Sequence, residues 1–237
     1  MIDYGDEKAR FFRRHIAAWG KRNIREFPWR KTINPFHVLL SEMMLRRTNA
    51  PQVIEIYRDA IHKFPSAKEL ASATTENIIS VFRPLGLMWR IQNIHEMASV
   101  LIEKFGGEVP SSYDQLKELP GVGDYVASAV CCFAYNQAMP IIDTNTVRVV
   151  GRYFGFKTHA ESRRRKPVRE VIKAVTSKTN ARRYNYAFLD FAALVCKAIE
   201  PECPNCPLRN KCIYGQAKLR IDAERKVMKR KDEALLF

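Results

Sequence analysis

The chain has no apolar run approaching the roughly 20 residues that a membrane-spanning helix needs. Its first residues, MIDYGDEKARFF, begin acidic and lack the order of a secretion signal. Both absences argue against a membrane partner and for a soluble, cytoplasmic protein. Strand-like alternation is missing too, as are internal repeats and flexible linkers. Acidic side chains are scarce: 25 against 40 lysines and arginines, a formal charge of +15. Such an excess favours a polyanionic partner, and phosphate contacts would make binding fall steeply with salt.

What is present is helical. At 237 residues and 46% apolar, the chain can bury a substantial core. Helical patterns cover residues 11–19, 36–48, 51–64, 66–72, 90–105, 114–119, 124–135, 144–154, 167–176 and 184–198, with another starting at Thr75, where Thr-Thr-Glu-Asn resembles a capping segment. Residues 25–35 read as irregular, 201–214 as loop, and the charged end, 220–233, as prone to fraying. Basic residues cluster at Arg13-Arg14, Arg46-Arg47, Arg163 to Lys166, Arg182-Arg183 and Lys226 to Lys231. One such cluster is usually a solvated face, but several together favour nucleic acid.

Between two helical patterns lies Leu119-Pro120-Gly121-Val122-Gly123. Proline ends the first helix, and the glycines permit positive φ and a close approach of backbone to a ligand. The amides opening the next helix would face an anion. Gly121, Val122 and Gly123 are therefore a candidate phosphate turn, and an ordinary helix corner is the alternative. One helix later, Asp143 precedes Thr144-Asn145-Thr146, good helix-cap chemistry that would also hold the carboxylate rigid. Glu42 sits in the apolar helix FHVLLSEMMLRRT, where burial would raise its pKa and suit it to donate a proton; an ion pair with Arg46 or Arg47 is the competing expectation.

Cys196, Cys203, Cys206 and Cys212 follow the spacing C-x6-C-x2-C-x5-C. Four thiols this close suit one metal centre rather than disulfides in an intracellular chain. Zinc and an iron–sulfur cubane both accept four cysteines. Cys131 and Cys132, in an apolar helix, read as packing.

Taken together, these motifs resemble the helix-hairpin-helix DNA glycosylases of the endonuclease III superfamily, from Arg25 to Cys212. The likeness implies an all-α, two-lobed fold: residues 27–139 as a helical barrel lobe with the hairpin, and residues 1–26 and 140–237 as an iron–sulfur lobe. It also implies a [4Fe-4S] cluster on the four cysteines, and DNA repair on double-stranded DNA by a monomer. Within the superfamily, Phe27-Pro28-Trp29-Arg30 and Ser41 to Thr48 are similar to the branch holding the adenine glycosylase MutY and the thymine mismatch glycosylase Mig. Endonuclease III enzymes carry a Schiff-base lysine at position 125; this chain has Tyr125, as Mig does. MutY proteins usually add a C-terminal domain, whereas this chain runs 25 residues past Cys212, which also favours Mig.

The resemblance assigns roles residue by residue. Asp143 matches the essential aspartate, oriented by Asn145, and Glu42 would protonate or hydrogen-bond the flipped base. Tyr125 would contact that base. Arg47 and Leu87 match the positions that fill the hole in the duplex. The implied activity is removal of thymine, and uracil, opposite guanine. Adenine removal opposite 8-oxoguanine or guanine is one alternative, and a non-catalytic cluster-bearing DNA-binding module is another. Asp124 departs from the family as a negative charge beside the hairpin, which would weaken phosphate contact or, alternatively, cap the helix, and Asn49 departs where Thr or Gln is frequent.

Overall fold

The computed structural model describes residues 5–234, without the side chains of residue 160 and residues 225–234. The basic cluster at Lys226 to Lys231 lies outside the described side chains. The fold is all-α, with no strand among the described residues. Its helices are α1 (Asp6–Asn23), α2 (Pro35–Met44), α3 (Ala50–Lys63), α4 (Ala67–Ala71), α5 (Thr75–Phe82), α6 (Met88–Phe105), α7 (Tyr113–Lys117), α8 (Asp124–Phe133), α9 (Thr144–Phe154), α10 (Lys166–Val175), α11 (Ala181–Leu194) and α12 (Ile213–Ala234).

Local chemistry starts these helices. The side-chain oxygens of Asn34, Asn49, Ser66 and Thr74 each accept from a backbone amide in the first turn of α2, α3, α4 and α5. Each satisfies an amide that has no intrahelical partner. Asn49, odd by family habit, is thus a helix cap.

Two helix ends fall short of the pattern. The apolar helix expected to reach Thr48 stops at Met44, and the helix expected to reach Ala198 stops at Leu194. Arg90 in the first place, and Arg148 and Arg152 in the second, take carbonyls at and beyond these ends. The charged segment expected to fray continues as backbone helix in α12.

The chain divides into two compact units. One comprises Arg25–Met139 with Thr179–Arg182. In it α2 packs on α8 and α4 on α6, over buried Leu39, Met43, Phe82, Ile94, Val130 and Phe133. Cys131 and Cys132 are fully buried here, as packing residues should be. The short 179–182 segment belongs to this unit because Arg182 donates to Asn136 Oδ1 through its amide and to the Ala134 carbonyl through its guanidinium. The other unit comprises Met1–Ile24, Pro140–Lys178 and Arg183–Phe237. Its core gathers Phe12 and Ile16 of α1, Val150 and Tyr153 of α9, Ile172 of α10, and Phe188 and Phe191 of α11. Edge-to-face rings, Phe12 against Tyr153 and against Phe188, tie three of those helices together.

Candidate functional site

In the first unit, helix α2 is buried almost throughout, and Glu42 with it, at 3% exposure. Its partner helix α8 opens directly from the Gly-Val-Gly turn and carries Tyr125, half-buried in its first turn. Gly121 has φ +75°, and a side chain there would meet Asn93 and Met43 at 3.0 Å. A side chain there would be strained by the conformation and crowded by these neighbours, and glycine avoids both. Its carbonyl accepts from Arg46, whose guanidinium also lies 5.4 Å from the Trp89 ring centroid. The turn is thereby tied to the end of α2 and the start of α6.

Asp124 does not cap α8 with its side chain. Gly123 is the N-cap, and Asp124 pairs with Lys117 at 2.8 Å and accepts from the Tyr113 hydroxyl. Its charge is partly answered by these neighbours, which eases the conflict with an anion at the turn.

Arg47 and Leu87 are exposed, and both adopt left-handed backbone, with φ 58° and 57°. For non-glycine residues such a conformation costs about 1–2 kcal/mol each, so it persists only where the surroundings enforce it. The enforcing group is Arg90, 1% exposed. It donates to the carbonyls of Met44 and Arg46 on one side and Leu85 on the other, and to Thr48 Oγ1 between them. Burial first, then the charges of Arg46 and Arg47, pull its pKa below the ordinary guanidinium value.

In the second unit, Asp143 is the N-cap of α9 within a capping box. Its Oδ1 accepts from the Thr146 amide and its Oδ2 from Asn145 Nδ2, both at 2.7 Å. A carboxylate held at both oxygens has a fixed orientation and keeps further lone pairs for a ligand or water. Asn145 Oδ1 accepts from Arg148, which also donates to the carbonyls of Ala192 and Cys196. A continuous chain of hydrogen bonds therefore runs from Asp143 to the first cysteine of the loop.

That loop follows α11. Cys196, Cys203, Cys206 and Cys212 all line one cavity, with Arg152, Arg209 and Tyr214 beside them. All four are free thiols. Arg152 donates to the carbonyls of Lys197 and Ala198 and to Cys196 Sγ, and lies over the Tyr214 ring. The Gly215 amide donates to Cys212 Sγ. Burial pushes the thiols of Cys206 and Cys212 up to about 12 and about 11. Thiols raised in this way are uncharged at neutral pH until a cation converts them to thiolates. No three Cys, His, Asp or Glu groups among the described residues gather closely enough to hold a single metal ion. Four thiols lining one cavity are the donor set that a four-cysteine metal centre, zinc or iron–sulfur, requires.

Residues 40–174 match the family described as HhH-GPD superfamily base excision DNA repair protein. The chain belongs to this family. It is 37% identical to the thymine/uracil-DNA glycosylase of Pyrobaculum aerophilum over 218 residues, 89% of this chain and 94% of that protein. The structure of a thermostable thymine-DNA glycosylase resembles it with a TM-score of 0.84 and 31% identity, covering 91% of this chain and all of the other. An adenine DNA glycosylase of Mycobacterium tuberculosis is 35% identical over 82% of this chain, which spans 64% of that longer protein.

Three residues of this HhH-GPD chain escaped the sequence reading: Arg90, Arg148 and Arg152. Arg90 had a signal. It lies on the stripe continued by Ile94, Met97 and Leu101, where a cation is out of place unless its donors are satisfied. Arg148 and Arg152, four apart on α9, had none beyond ordinary helix spacing.

Proposed function

We propose that the chain is a monofunctional DNA glycosylase that removes thymine, and uracil, mispaired with guanine. The observation that carries this reading is Tyr125 in the first turn of the helix opened by the hairpin, where a strand-cutting relative needs lysine. A phenol, with a reference pKa of about 10, forms no Schiff base. The end-to-end likeness to a thymine/uracil-DNA glycosylase supports the same choice of base.

Base release breaks the bond between C1′ of the deoxyribose and the pyrimidine nitrogen, whose electrons leave with the base. Positive charge builds on the sugar, and the Asp143 carboxylate stabilises it and orients the water that adds to C1′. Water's hydroxyl ends on C1′ and its proton balances the departing base. Glu42, buried in α2, hydrogen-bonds the flipped base or supplies that proton. Gly121, Val122 and Gly123 present backbone amides to a phosphate. Arg47 and Leu87 fill the space left in the duplex. Cys196, Cys203, Cys206 and Cys212 hold a [4Fe-4S] cluster, a reading supported by the four thiols lining one cavity. When bound, the cluster braces the loop and takes no part in cleaving the glycosidic bond.

A panel of duplexes carrying G:T, G:U, adenine opposite guanine and adenine opposite 8-oxoguanine tests the substrate. Release of thymine and uracil without strand cleavage is expected. Adenine release alone, with G:T intact, would sink the reading and favour the adenine enzymes. Anaerobic purification should yield brown protein; colourless protein with stoichiometric zinc would contradict the cluster.

A further inference from the structure

Arg90 takes no part in the chemistry proposed above, yet it is among the most deeply buried large side chains of the chain. One amino group of its guanidinium serves the carbonyls of Met44 and Arg46 and the hydroxyl of Thr48; the other serves the same hydroxyl, at 3.0 Å, and the carbonyl of Leu85, at 2.5 Å. Its own amide donates to the Leu87 carbonyl at 2.9 Å. The acceptors thus flank Arg47 on both sides and reach both Leu87 itself and the residue two before it. These two tips are 40 residues apart in sequence and share no helix. Each has left-handed backbone, and each is exposed while its anchor is buried.

We propose that Arg90 is a positioning residue for base flipping: its single planar guanidinium locks the Arg47 turn and the Leu87 turn into one wedge of fixed shape. The proposal rests on the reading that Arg47 and Leu87 enter the duplex. Arginine suits the task because its donors diverge in one rigid plane and can serve two turns at once. A lysine ammonium is a point donor on a flexible stem and cannot hold both.

The test compares two duplexes under single-turnover conditions. One carries a G:T mismatch, whose thymine must be unpaired and unstacked. The other carries thymine opposite an abasic site, where no pairing resists extrusion. Arg47→Ala and Leu87→Ala should slow thymine release from the first duplex far more than from the second. If they do not, the wedge reading fails and Arg90 has nothing to position. Given that split, Arg90→Lys should show it as well, with a loss of about tenfold on G:T, the kinetic equivalent of about one hydrogen bond. On a Leu87→Ala background, Arg90→Lys should add less than about twofold, since groups acting through one element are not additive. Equal loss on both duplexes, full additivity or no loss would each overturn the proposal. Should Arg90→Lys fail to fold, Thr48→Val removes the hydroxyl shared by both amino groups. It should produce the same split at about threefold, a fraction of one hydrogen bond; uniform loss or none would again refute it.

Discussion

Arg90 and Arg148 solve the same problem in the two units, and the difference lies in what else each one holds. Both reach out of a helix to carbonyls where another helix gives way to loop: Arg90 around the end of α2, Arg148 around the end of α11. Arg90 is almost fully buried, and the acceptors named above are carbonyls and one hydroxyl on two turns. Arg148 is half-buried and gives one amino group to Asn145, which in turn donates to Asp143. One arginine therefore shapes exposed tips, while the other couples the cysteine loop to a carboxylate. Damage to the first should appear in getting a base out of the stack. Damage to the second should appear in breaking its bond.

The sharpest way to break this comparison starts at the carboxylate itself. Asp143→Asn keeps good helix-cap chemistry, so α9 should form normally. It removes the negative charge, and base release should fall by about 10³-fold or more. Because the chemical step is common to both substrates, the loss should be equal on G:T and on thymine opposite an abasic site. DNA binding should persist. Unchanged base release would show that Asp143 is only a cap, and the contrast between the two arginines would lose its functional half.

Arg148→Met comes next. It leaves Asn145 without its anchor and two carbonyls at the end of α11 without a donor. Losing such an orienting partner costs about 10–100-fold in activity. The decrease should again be uniform across the two duplexes, opposite to the pattern expected for Arg90. A loss confined to the G:T duplex would show that the two arginines do not divide the labour as their contacts suggest.

How much of this was legible in the sequence follows from the range of each interaction. Helix starts were readable because a cap lies within three residues of what it caps: Thr74 with Asn77, Asp143 with Thr146. Glu42 could be read as buried because its neighbours in the same helix are apolar. Two helix ends were not readable. Met44 and Leu194 are last residues because guanidiniums 44–48 positions away take carbonyls there, and no local pattern encodes such a reach. The cysteine spacing marked the loop as a candidate metal site, but the arginines that shape its backbone sit on α9, with α10 and α11 in between. Asp124 looked like a cap or a repulsive charge, while the structure pairs it with Lys117, seven residues back.

Stability offers a second axis with smaller effects. Arg90→Met would strand three carbonyls and a hydroxyl in a buried place, at a cost of about 3 kcal/mol. Iron removal should leave that penalty unchanged, because the cysteines belong to the other unit. For Arg148→Met, urea unfolding should show a penalty that grows once iron is stripped, since the ligand bonds of the proposed cluster would otherwise brace the same loop. Penalties that respond identically to iron would erase the distinction.

The mildest change is Tyr214→Leu. Tyr214 lines the cysteine cavity and lies under Arg152, 4.7 Å from the ring centroid. Leucine keeps an apolar side chain but loses the ring face, worth about 0.5–1 kcal/mol at a partly exposed site. Arg152 also donates to the carbonyls of Lys197 and Ala198, so a looser guanidinium should loosen the backbone around Cys196. The measurement is the rate at which the brown colour bleaches in air, expected to rise about two- to fivefold for that energy. Thymine release from the freshly loaded protein should stay the same on both duplexes, because the path from Cys196 to Asp143 runs through Arg148 rather than Arg152. A fall in base release without faster bleaching would mean that the coupling to Asp143 passes through Arg152 instead.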